Sequence, residues 1–173
     1  MLNMADLLKN AAELIQSEGF TGAHSLIFLI RYASLTDNKS LMRLTGNTLE
    51  NMSDMAETAS LAYAYAEYYQ AEKAAFCLPA ISFLLPRCPE SDPMLFPALA
   101  KAANVTGDER ILRLALDAAG EQDEPALAEM PFAALGFLEL YRLSGESAFL
   151  NRASELGEAI KDNFRTLFNP AEA

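Results

Sequence analysis

A short polar turn that returns every 34 to 38 residues constrains this chain more than any other feature. It is clearest as Thr106-Gly107-Asp108-Glu109-Arg110, between two runs rich in alanine and leucine. The same chemistry recurs at Thr36-Asp37-Asn38-Lys39, Gln70-Ala71-Glu72-Lys73 and Ser144-Gly145-Glu146-Ser147. Each turn follows one helical pattern and precedes another, which is the mark of a helical-hairpin repeat. Aligned on the turn, Leu29, Tyr63, Leu99 and Phe137 fall in register, as do Tyr32, Ala66, Ala102 and Leu140. Beyond the turn, Leu41, Ala75, Ile111 and Phe149 line up in the same way. A single hairpin cannot bury its own apolar face, so neighbours must stack.

Composition supports helices and narrows the partners. Val105 is the only valine, so β-branched residues are scarce beside alanine and leucine, and an all-α fold follows. A chain of 173 residues, 51% hydrophobic and 21% charged, is long enough to bury a core as one folded domain. The net charge of -11 leaves little with which to neutralise phosphates. Nucleic acid and an anionic membrane surface are therefore not the expected partners. No apolar stretch reaches spanning length without charge, and the start of the chain lacks the pattern of a signal peptide, so a cytoplasmic location is the expectation. Cys77 and Cys88 form no CxxC pair, and no metal or cofactor is expected.

The pattern gives a leading helix over 4–17, then hairpins at about 23–54, 57–86, 92–119 and 131–168. Leu7, Leu8, Ala11, Leu14 and Ile15 mark the first apolar face. Ser53 or Asp54, with Glu57, reads as a capping box. A helix is expected from Glu72 to Leu85, kinked at Pro79. The loop Pro86 to Pro93 holds three prolines, and Asp92 before Pro93 reads as a helix start. Gly107 and Gly145 read as helix-end glycines. The last helix carries Phe164, Leu167 and Phe168, an apolar end that can cap the array or pair with a second copy.

Three stretches carry a resemblance. They are His24 to Ala33 with the following Thr36-Asp37-Asn38-Lys39 turn and Thr48 to Met52, then Leu61 to Gln70, then the turn at Thr106. Together they resemble the helical (α/α)6 toroid of the spermatogenesis-associated thioredoxin-like proteins, a fold related to N-acylglucosamine 2-epimerases and six-hairpin glycosidases. The chain departs from that family between Met52 and Thr58, where a cavity-facing loop is missing, and it lacks the thioredoxin-like domain. The resemblance implies a shortened, open array of four hairpins with its sugar-directed chemistry reduced or lost.

Two sets of residues are candidates for chemistry. His24 is the only histidine, and the resemblance places it near the cavity side, where a general base would stand. Glu67 lies among Tyr63, Tyr65, Tyr68 and Tyr69, a carboxylate with aromatic neighbours of the kind that sugar sites use. Its second carboxylate would be Glu139, Asp117 or Glu57. The plainer reading packs Tyr63 and Tyr69 between hairpins and leaves Glu67 in solvent or paired with Lys73. On balance the sequence points to a non-catalytic helical-repeat protein that binds another protein or itself. The alternative is a carbohydrate-like ligand site on Tyr63, Tyr65 and Glu67.

Overall fold

The computed structural model describes residues 4–18, 22–52, 58–122 and 125–168. Every regular element among them is helical, so the chain is all-α. The nine α-helices among the described residues are α1 (Met4–Glu18), α2 (Ala23–Leu35), α3 (Lys39–Glu50), α4 (Thr58–Glu72), α5 (Cys77–Leu84), α6 (Leu95–Thr106), α7 (Glu109–Gly120), α8 (Met130–Ser144) and α9 (Ser147–Phe168). A short 3-10 turn, Leu85–Arg87, follows α5.

The chain divides into two compact units, Met1–Cys88 and Pro89–Ala173. The division falls inside the loop with three prolines. In the first unit α1 packs on α2, α2 packs on α3 and α4, and α4 packs on α5. In the second, α6 packs on α7 and α8, and α8 packs on α9. Each unit thus holds two hairpins, and the first helix of one hairpin lies against the first helix of the next.

Burial explains this layering. Helix α4 is apolar or small on nearly every side, and ten of its residues are buried, among them Ala59, Ala62, Tyr63 and Ala66. Helix α6 buries eight, from Phe96 to Ala103. A helix without a polar face belongs inside. By contrast α7 buries Ala115 alone and leaves Leu114 and Leu116 exposed on either flank.

Local chemistry sets the turns. Asn38 caps α3, its side chain accepting from the Leu41 N–H at 3.0 Å. Asp108 caps α7 by accepting from the Arg110 N–H at 2.8 Å. The Arg110 guanidinium also donates to both Asp108 oxygens, at 3.2 and 2.8 Å. The Arg110 side chain, and then its backbone N–H, hold the Asp108 carboxyl down at about 2. Gly107 and Gly145 take φ of 68° and 72°, the left-handed conformation that lets each close the helix before it.

Three elements depart from the pattern read in the sequence. Helix α4 continues to Glu72, and Lys73 turns the chain at φ 55°, so α5 begins only at Cys77. Pro79 therefore sits in the first turn of α5. Its missing N–H would have had no helical partner there, so it has no cause to kink the helix. Ala75 lies in the turn, exposed, outside the helical register of Leu41, Ile111 and Phe149. Helix α3 ends at Glu50 rather than at Asp54, with the Asn51 N–H and side chain both donating to the Asn47 carbonyl. Asp92 does bond the chain ahead of α6, but to the Met94 N–H, so the helix starts two residues later than Pro93. The capping box at Ser53, Asp54 and Glu57 lies outside the described residues, as do the side chains of Leu7, Leu8, Phe164, Leu167 and Phe168.

Glycine marks a close helix approach in the second unit. A methyl group at Gly136 of α8 would collide with the Phe96 ring of α6, which also meets Phe137 edge-on at 5.1 Å. At Gly157 on α9 a methyl would meet nothing. Gly136→Ala should lower unfolding stability by about 1–3 kcal/mol, whereas Gly157→Ala should raise it by about 0.5–1 kcal/mol. Urea unfolding of the two variants checks the pair, and equal effects would contradict this packing.

Candidate functional site

An ionisable side chain in an apolar helix must find a partner or stay uncharged. Arg31 interrupts the run Leu29-Ile30 of α2, and it finds partners on α4. Its Nε donates to Glu67 Oε1 at 2.9 Å, and its Nη2 donates to the same oxygen and to the Tyr63 hydroxyl. The guanidinium carbon lies 5.5 Å from the centre of the Tyr63 ring. The Glu67 side chain keeps 11% of its exposure, and Tyr63 keeps none. The planar fork of arginine suits this geometry, because one cation serves a carboxylate and a phenol at once.

The second unit repeats the arrangement with other residues. Lys101 interrupts the alanine run of α6 and lies 3.4 Å from Glu139 Oε1 on α8. Both side chains are buried, at 1% and 0% exposure. Arg142, half exposed, reaches the same oxygen at 2.6 Å, and Asn104 donates to the other at 3.3 Å. Lys101 occupies the register position of Arg31. The cross-helix pairs Arg31–Glu67 and Lys101–Glu139 are 36 and 38 residues apart, both within the range of the repeat spacing.

The other candidates fall in different surroundings. His24 is exposed at the start of α2, with its ring Nε2 3.4 Å from Ser60 Oγ on α4. Tyr65 is buried, donates to the Leu49 carbonyl at 2.7 Å and meets Phe76 edge-on at 6.2 Å. Burial pushes its phenol pKa up, with Cys77 adding to the effect. Cys77 is itself fully buried, and that burial lifts its thiol to about 12, so it is an inert core residue. Glu67 pairs with Arg31 and not with Lys73, whose ammonium instead lies 5.1 Å from the Tyr69 ring centre. Among the carboxylates considered as its partner in catalysis, Glu139 is bound in the second unit and Asp117 is exposed on α7. Glu57 lies outside the described residues.

An open groove of about 710 Å³ lies at the turn end of the first hairpin. Lys39, Met42 and Arg43 of α3 form one wall; Tyr68, Ala71 and Glu72 of α4 form the other; Asp37 stands at the end. Tyr68 fits there because α3 has no side chain at Gly46, where a methyl would collide with the phenol. Burial raises the Tyr68 pKa, and the Glu72 carboxylate raises it further. Neither the Lys39 nor the Arg43 side chain has a hydrogen bond or ion pair with any described residue, and both are exposed. Among the described residues, no group of three or more histidine, cysteine or carboxylate side chains is placed to hold a metal.

Set against protein-family models, curated proteins and solved structures, the chain matches none. Sequence reading singled out His24, Tyr63, Tyr65 and Glu67. It missed Arg31, Lys101, Lys39 and Arg43. A signal for the first two was present: each is a lone cation in an apolar helix, one repeat period from a glutamate. No such signal exists for the groove, which depends on how α3 and α4 meet.

If the Arg31 fork holds α2 to α4, Arg31→Met should cost about 1–3 kcal/mol by removing the guanidinium's bonds to Glu67 and Tyr63. Arg113→Met, on the exposed side of α7, should stay within about 0.5 kcal/mol. Chemical denaturation of both variants separates the cases.

Proposed function

We propose that this chain is a non-catalytic helical-repeat protein that acts by contact with another protein or with a second copy of itself. One observation carries the reading. The charged groups inside the helix layer are engaged with one another, whereas two cations whose side chains pair with no described residue, Lys39 and Arg43, stand together on an open groove. Groups committed to holding helices together are poorly placed for proton transfer. Groups in a solvent-filled groove are available to a visitor.

The array of hairpins, with first helix against first helix, supports an open relative of the α/α toroid. A carbohydrate-like ligand on Tyr63, Tyr65 and Glu67 has less support. Both rings are buried in the core of the first unit, and Glu67 is held by Arg31. Their faces do not stack on a sugar without the helices parting. No helix among the described residues is long and apolar enough to cross a membrane.

Two measurements test the proposal together. Light scattering over a range of concentration reads self-association, and affinity capture from the native lysate with quantitative mass spectrometry reads a protein partner. We expect an oligomer or a reproducible stoichiometric partner. A strict monomer at every concentration, with no partner enriched over a tag-only control, would contradict it.

A further inference from the structure

The groove at the turn end of the first hairpin has a composition that points to the kind of segment it holds. Most cations of the described chain are already occupied. Lys9, Arg110, Arg152 and Lys161 meet carboxylates within their own helix or turn, and Arg31 and Lys101 join neighbouring helices. Arg87 lies 3.7 Å over the Phe83 ring. Lys39, Arg43 and, on α7, Arg113 have no such side-chain partner among the described residues. Lys39 and Arg43 stand one helical turn apart on α3, on the same face. In a chain of net charge -11, free cations side by side are rare. Two carboxylates with the same spacing on a visiting segment would meet them both.

The groove is also bipolar and firm. Asp37 and Glu72 line it without a cation of their own. A uniformly acidic partner would meet these two groups and the excess negative charge of the whole chain. A segment with two carboxylates and a neighbouring basic residue satisfies both walls. Met42 and Tyr68 give the groove's facing walls an apolar part, and Tyr68 is fixed by its fit over Gly46 and by its contact with Phe76 at 6.0 Å. An apolar side chain between the charged ones would cover that part. The volume of about 710 Å³ suits a few side chains of a peptide.

We infer that this groove takes a peptide segment of a protein partner, with two carboxylates one helical turn apart seated on Lys39 and Arg43, an apolar residue between them on Tyr68, and a basic residue toward Glu72. The inference rests on the proposed protein-contact function and gives it a partner chemistry.

The test uses the full chain and a synthetic peptide of roughly ten residues with two glutamates four apart, a leucine between them and a flanking lysine. Its counterpart has both glutamates replaced by glutamine. Titration calorimetry or fluorescence anisotropy should show binding of the glutamate peptide that weakens as salt rises. The glutamine peptide should bind about tenfold more weakly or worse. The double variant Lys39→Glu, Arg43→Glu should lose at least about tenfold in affinity for the glutamate peptide, while Arg113→Glu, a reversal of one exposed charge on α7, should leave it unchanged. Because Lys39 and Arg43 are exposed, the double variant should keep the wild-type circular dichroism, which confirms that it folds. The inference is overturned if no peptide binds up to about millimolar concentration, if both peptides bind alike, or if Arg113→Glu weakens binding as much as the double variant. A partner captured from lysate equally well by wild type and double variant would overturn the groove while leaving the protein-contact reading in place. Peptide binding by a chain that captures nothing would do the reverse.

Discussion

The cation–carboxylate contacts between first helices are the constraint on which the rest of this structure depends. Helices α2 and α4, and again α6 and α8, are apolar enough to pack in many rotations and slides. Dispersion and hydrophobic burial do not choose among these, since both act without direction. The Arg31 fork on Glu67 and Tyr63, and the Lys101 contact to Glu139, do choose. A buried charge left without its partner is far costlier than an apolar mismatch, so alternative registers are disfavoured even where the native pair adds little net stability. This is a role in specificity, and the spacing of one repeat period gives it a simple origin. In each unit the first hairpin offers a charge to the second.

That commitment shapes what is left for function. A glutamate bonded to a guanidinium that also holds a phenol, or to an ammonium and a second guanidinium, is part of the frame. The surface that remains open in the first unit is where two hairpins meet at their turn ends. There the small residue Gly46 lets Tyr68 in, and the first turns of α3 carry charges that the frame does not use. The structural logic runs from a glycine to a tyrosine wall, from the wall to a groove, and from the groove to its unpaired cations.

The fold class was largely legible in the sequence, because it rests on local chemistry. Alanine and leucine at helical spacing, Asp108 and Asn38 at helix starts, and Gly107 and Gly145 at helix ends each act within a few residues. Where reading failed, the competing effect was also local but weaker in pattern. Nothing in Gln70-Ala71-Glu72-Lys73 announces that the helix runs through Glu72 and that Lys73 takes a positive φ. Pro79 was consequently placed mid-helix, when it sits where a proline is tolerated. The tyrosines illustrate a different limit. Their spacing beside Glu67 fits a ligand platform and a buried core equally well, and only the neighbouring helices decide. Arg31 was the informative residue, a charge with no apparent reason to interrupt an apolar helix.

The central claim is that a charge pair one repeat period apart fixes how consecutive hairpins meet. A thermodynamic double-mutant cycle on Lys101 and Glu139 tests it most directly, with Lys101→Met, Glu139→Leu and the combined variant unfolded in urea. The account predicts that Glu139→Leu costs about 3–5 kcal/mol, that Lys101→Met costs less because Arg142 still reaches Glu139 at 2.6 Å, and that the combined variant loses less than their sum. Additive losses in the combined variant, or single changes that cost less than about 1 kcal/mol, would contradict it.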